Sequence, residues 1–208
     1  MNIVVFKWNP AISSISMFRY LKNISQKQCR GDWSVWEYEK IRRNDRFFML
    51  KVGYGTTGIV AAGKITSDPE TDLDWRNAVE KIHYCNSRAE IIINPETFPI
   101  LNTAVLESAI PDFDWRGGHS GMSLNFGQAE SLCRLWDAYL LDNAAGFKAA
   151  LKEIRKRDML NDQLYIRSRL LRKLLKRCKG SELGSGQSAR HFGAGIETGY
   201  CANECENT

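Results

Sequence analysis

Apolar residues recur along this chain in two rhythms. Short runs rich in β-branched and aromatic residues alternate with longer stretches spaced three and four apart. NIVVFKW (2–8) reads as a buried strand, ended by the turn signal Asn9-Pro10. ISSISMFRYLKN follows with Ile15, Phe18 and Leu21 at helical spacing. The polar segment CRGDWSVWEY reads as a loop running into a short turn. DRFFMLKVG (45–53) and GIVAAGKITSD (58–68) form the clearest strand pair, joined by YGTTG. AVEKIHYC and RAEIIIN (88–94) predict two further strands, separated by the turn-like Asn86-Ser87.

PETFPIL carries two prolines and reads as an extended connector. TAVLESAI predicts a short helix opening at Thr103, and PDFDWRGGHSGM is irregular. NFGQAESLCRLWDAYLL puts Ala129, Leu132, Leu135, Trp136 and Leu140 on one face of a helix. The strands stand too close together for βαβ crossovers. The pattern therefore predicts the α+β class, with a mostly antiparallel barrel or strongly curved sheet flanked by helices.

After Asp142 the pattern changes. Residues 147–179 read as one or two helices with a stripe of Leu160, Leu164, Leu171, Leu174/Leu175 and Cys178, and 181–208 read as a flexible tail rich in Gly, Ser and Asn. The expected organisation is a domain over 1–141, a basic helical extension over 142–180, and the tail. Charge sharpens that division. Residues 1–141 carry 16 Lys/Arg against 16 Asp/Glu, whereas 147–179 carry 12 basic and 3 acidic side chains. A phosphate backbone would be drawn to the extension first.

With 208 residues and 43% hydrophobic content the chain can bury a sizeable core. No apolar run reaches about 18 residues, so no transmembrane helix and no membrane partner are expected. The opening residues lack a signal-peptide pattern, which predicts a cytoplasmic protein. Six cysteines are scattered with no CxxC pair. His191, Cys201 and Cys205 do not have zinc-module spacing, so no metal and no cofactor are expected.

Catalytic patterns are hard to find. The three histidines, His83, His119 and His191, match no metal-binding helix pair. No lysine has an acidic residue two positions before it, and no phosphate-binding GxxxxGK[ST] loop occurs. GYGTTG links two strands and so reads as a hairpin turn, not a dinucleotide fingerprint. His119 and Ser120 are chain neighbours, poor geometry for a base and its nucleophile. Aromatic residues make a better case for binding. Trp8, Trp33, Trp36, Trp75 and Trp115 fall at strand ends or in loops, where tryptophan rings supply sequence-tolerant stacking.

Taken in order, WNP, DWSVWEY, NDRFFMLKVG, GIVAAGKITSDP and W-x-x-x-HSG before a helix containing LW resemble the EVE-type branch of the PUA-like superfamily, over about residues 1–141. Members of that branch occur alone or fused to nucleases in modification-dependent restriction systems, and related YTH and SRA domains hold modified nucleotides in aromatic pockets. The resemblance implies a PUA-like curved β-barrel with flanking helices and a base-binding pocket. By position, the pocket residues are Trp8, Asn9, Trp33, Ser34, Trp115, His119, Ser120 and Gly121, with Trp36, Lys51, Gly53 and Tyr54 at its rim. Many relatives have Gln-Ser-Gly or Ser-Ser-Gly where this chain has His119-Ser120-Gly121. The basic stretch after residue 142 lies outside the shared pattern.

The function expected on these grounds is a non-catalytic module that reads a modified nucleobase in DNA or RNA. Arg42, Arg43, Arg46, Arg155, Lys156, Arg157, Arg172 and Lys173 are the expected phosphate contacts. Two alternatives stand beside it. One is an ASCH-type enzyme acting on nucleic acid or nucleosides. The other is an interaction module for a small ligand or a protein partner, the latter docking through the basic C-terminal helix.

Overall fold

The computed structural model describes residues 1–77, 79–156 and 164–182. His191, Cys201, Cys205 and all but the first two residues of the expected tail lie outside them, as do Arg157 and Leu160. The side chains of Arg155 and Lys156, at the end of a helix, lie outside them too.

Strand β1 (Ile3–Trp8) is apolar on both faces because each face meets a separate core. Val4, Phe6 and Trp8 enter one, while Ile3 and Val5 enter the other. Between β1 and β3 (Arg46–Lys51) run helix α1 (Met17–Ser25), β2 (Arg30–Ser34) and a single 3-10 turn (Tyr38–Lys40). This connection is long enough for a crossover, so β1 and β3 pair in parallel, Ile3 opposite Arg46 and Trp8 opposite Lys51. The expectation of mostly antiparallel pairing holds elsewhere. β4 (Gly58–Ile65) turns back on β3, and β6 (Lys81–Ile93) turns back on β4.

β6 is the spine of the sheet. One edge pairs with β5 (Glu70–Leu73) and then β4, the other with β2 and then β9 (Leu164–Ile166). The expected turn at Asn86-Ser87 is absent, because strand pairing holds those residues in the ladder. Asn86 pairs with Asp32 and Ser87 with Gly31, and the Ser87 hydroxyl donates to Gly31 O. DWSVWEY is likewise less irregular than expected, since Asp32, Trp33 and Ser34 belong to β2.

The main path of the nine-stranded sheet runs β2-β6-β4-β3-β1-β8, with β7 (Leu101–Asn102) on β4 and β8 (Met122–Ser123) on β1. The two ends of this path meet. Trp36 N–H donates to Ser120 O at 3.0 Å and Glu37 N–H to Gly121 O at 3.1 Å, just before β8. The result is a curled mixed sheet with flanking helices, the expected α+β class.

Helix α1 covers one core with Tyr20 and Ile24; of the expected stripe, Ile15 and Leu21 pack partly against the same core, whereas Phe18 is 78% exposed. The other core lies under α2 (Thr103–Ala109), α3 (Phe126–Asp142), α4 (Ala144–Lys156) and α5 (Ser168–Glu182). Helix α3 begins with a capping box, Asn125 and Gln128 bonding reciprocally, and buries Leu132, Trp136 and Leu140. Residues 147–179, read as helices, also supply β9, whose Leu164 and Ile166 join this same core with Leu174 of α5. Among the described residues no helix is long and apolar enough to cross a membrane.

Candidate functional site

A cleft of about 1090 Å³ opens where the C-terminal end of β1 meets β2, β5, the N-terminal half of β6 and the loop before β8. Its floor is built by one hydroxyl. Ser120 Oγ accepts from the Lys7 backbone N–H at 3.0 Å and from the Trp33 indole Nε1–H at 2.6 Å. Two donors on one oxygen fix the Trp33 ring and leave the Ser120 proton to be donated elsewhere. Trp33 rests on Phe6, centroids 6.0 Å apart, and stays half-buried with its remaining surface on the cleft.

Gly121 makes this arrangement possible. Its φ is +73°, and a Cβ there would lie 2.4 Å from Val35 Cα. Only glycine lets the loop approach β2 closely enough to close the sheet and seat Ser120.

Two histidines lie flat against aromatic rings beside the cleft. His119 stacks on Trp36 at 3.6 Å and 3°, and His83 on Tyr38 at 3.4 Å and 9°. On the facing wall, Trp75 is 46% exposed and carries the Arg76 guanidinium 5.1 Å from its ring centroid. The Tyr84 hydroxyl accepts from Trp75 N–H and donates to Leu73 O. Burial raises the Tyr84 phenol pKa, and nearby Asp74, Asp32 and Asp72 raise it further, against the hydrogen bond from Trp75. This wall is acidic. Lys7, Arg19 and Arg116 line the cleft as well. Lys7 Nζ is already engaged, donating to Asp114 O at 2.5 Å and to Gly117 O. Burial lowers its pKa, with Asp114 opposing. Arg116 makes a bidentate pair with Glu107.

The structure brings Asn9, Trp33, Ser34, Trp36, His119 and Ser120 to one cleft, with Gly121 supporting it from behind. It does not bring the others. Trp8 is fully buried, stacked on Tyr20 at 4.4 Å, and its indole N–H donates to Ile15 O. Trp115 is 1% exposed and donates to Ile110 O. Both rings are core because a backbone carbonyl inside the fold satisfies the one polar group that would otherwise draw them outward. Lys51 is buried and ties Tyr54 O and Thr56 O, so it holds the β3–β4 link together. Gly53 packs on the Asn9 side chain, and Tyr54 is 99% exposed; neither lines the cleft.

The arginines expected to hold phosphate lie away from it. Arg46 pairs with Ile3 at the far end of β1, about 16 Å of strand from Trp8. Arg42 and Arg43 precede that same end, Arg172 is exposed on α5, and Lys173 is half-buried there. Sequence reasoning missed Arg19, Asp32, His83 and Tyr84, and did not assign Trp75 to the pocket. The alternation Asp72-x-Asp74-Trp75 was the available signal for an exposed edge strand carrying a ring. Among the described residues no three His, Cys, Asp or Glu side chains gather as a metal site.

No family model and no curated protein sequence matches the chain. Among solved structures it is similar to a protein from Pseudomonas syringae, at 16% identity and a TM-score of 0.44, covering 64% of this chain and 98% of that one. A protein from Leishmania major is similar at 11% identity and a TM-score of 0.45, covering 67% and 96%. The YTH domain of Mmi1, solved in complex with RNA, is similar at 12% identity and a TM-score of 0.42, covering 69% and 86%. The fold assignment rests on the strand register of this chain itself.

Proposed function

We propose that this chain is a non-catalytic nucleic-acid-binding domain of the EVE type that receives a modified nucleobase in the cleft beside Trp33. One observation carries the reading. The single oxygen Ser120 Oγ joins three of the segments on which the resemblance rests: the strand residue just before WNP, the ring of DWS, and HSG. A base turned out of its stack, at a cost of a few kcal/mol, would lie against the exposed part of Trp33. Base–aromatic stacking returns about 1–3 kcal/mol. Ser34, Asn9 and the free proton of Ser120 are the groups at hand to read a polar edge, and Trp36 with His119 borders the cleft. Phosphate at the cleft itself would be drawn to Arg19 and not to the acidic residues around Tyr84.

The test compares paired oligonucleotides, with and without methylated or hydroxymethylated bases, in both DNA and RNA. Wild-type protein should prefer one modified member. Trp33→Ala should reduce that preference by roughly 5- to 150-fold, the ratio equivalent of the stacking energy. Equal weakening for modified and unmodified members would remove Trp33 from the reading, and absence of any preference in the wild type would overturn it.

A further inference from the structure

Four cations stand in a line across four neighbouring strands. Arg30 of β2 is the register partner of Arg88 on β6, Arg88 of Lys64 on β4, and Lys64 of Arg46 on β3. Directly opposed residues project from the same face of a sheet. Four strands at about 4.8 Å spacing make the row about 14 Å long. Like charges placed opposite one another destabilise a sheet. Arg30 is exposed and the other three are half-buried, Arg46 with its guanidinium 4.9 Å from the centroid of the buried Phe48 ring. No ion pair among the described residues neutralises Arg30, Lys64 or Arg88, and Arg88 Nε is buried without a hydrogen-bond partner.

Helix α5 adds further cations. Just before it, Arg167 pairs with Glu90 of β6 at 3.0 Å, two residues along β6 from Arg88. Arg169, Arg172 and Lys176 of α5 are exposed, while its apolar side, through Leu174, is held by the core.

We propose that the row Arg30–Arg88–Lys64–Arg46 forms a track for the sugar-phosphate backbone of a nucleic acid. None of the four row residues lines the cleft. The Arg30 end lies three residues, about 10 Å of strand, from Trp33. A backbone on the track is gripped without regard to sequence, and its affinity falls steeply with salt. A bound polyanion relieves the mutual repulsion of these cations, which adds to its affinity.

The experiment measures binding of an unmodified single-stranded oligonucleotide by the full chain across a salt series. The variants are Arg30→Gln/Lys64→Gln, and the triple variant that adds Arg88→Gln. Each cation on the track neutralises one phosphate. The slope of log affinity against log salt should therefore fall by about 1.4 for the double variant and about 2 for the triple. Affinity at low salt should drop at least about tenfold. A thermal melt of the double variant should be unchanged or higher, because the substitutions relieve a repulsion between like charges. Unchanged affinity and slope would overturn the track. So would wild-type binding to phosphatidylserine vesicles without binding to the oligonucleotide, which would make the surface a membrane contact. The modified-to-unmodified ratio should not move in these variants, so failure here and failure of the Trp33 reading are separately visible.

Discussion

Ser120, Trp33 and the buried Trp8 and Trp115 show how a single polar contact assigns a ring to core or cleft. Trp8 and Trp115 each donate to a backbone carbonyl within the fold, so their burial leaves no indole N–H unsatisfied. Trp33 donates instead to a hydroxyl at the lip of the cleft, which keeps part of its ring in reach of a ligand. Asp137 poses a different problem at the same scale. Burial on α3 raises its carboxyl pKa, while Arg46 and Arg177 oppose the rise without cancelling it. The folded protein therefore binds this proton more tightly than the unfolded chain. The stabilisation is complete below the ordinary aspartate value, about 3.9, and is lost as pH rises through the elevated folded value. Asp137→Asn should flatten this part of the stability–pH profile, leaving the variant at least as stable as the parent at pH 7. Denaturant titrations between pH 3 and 7 would check it; an unaltered profile would show that Asp137 is not the titrating group.

At the scale of elements, the meeting of β2 with the loop before β8 turns a sheet into a curl with a cleft. Gly121 sits at that contact with its positive φ and no room for a side chain. Gly121→Ala should destabilise the fold by about 1–3 kcal/mol from backbone strain, with steric overlap adding to it. Urea unfolding would read the loss, and the half-buried Trp33 would report opening of the cleft by its fluorescence. Motif order singled out Gly121, but nothing in HSG reveals that Val35 lies opposite. The strands that were apolar on one or both faces, β1, β3 and β4, were legible because periodicity reflects burial directly. β2 was not legible, because its exposed Arg30, Gly31 and Asp32 owe their strand conformation to pairing with β6. Asn86-Ser87 misled for the same reason, since turn propensity is a local preference and the flanking strands overrode it.

At the scale of the whole molecule, the charge division at residue 142 was visible in the sequence, but not how the chain beyond it packs. β9 adds to the edge of β6 beside Ile91–Ile93, and Leu164, Ile166 and Leu174 lie in the same core as Trp136 and Phe147. A chain ending at residue 163 should therefore expose an apolar strand edge and lose cooperative stability. Hydrogen exchange at Ile91–Ile93 should accelerate, and the truncated chain should aggregate on heating. Retention of the full-length melting temperature would show that the basic segment contributes no net stability. Periodicity and composition were enough to identify a helix-flanked β structure, the α3 face, the hairpin at YGTTG, and the concentration of positive charge near the C-terminus. These are properties of neighbouring residues, and neighbours along the chain carry them. Register is different. The encounter of Ser120 with Trp33, the burial of Trp8 and Trp115, and the alignment of Arg30, Arg88, Lys64 and Arg46 join residues from separate strands and loops. Backbone hydrogen bonds and packing across the sheet decided those pairings, and no local pattern encodes them.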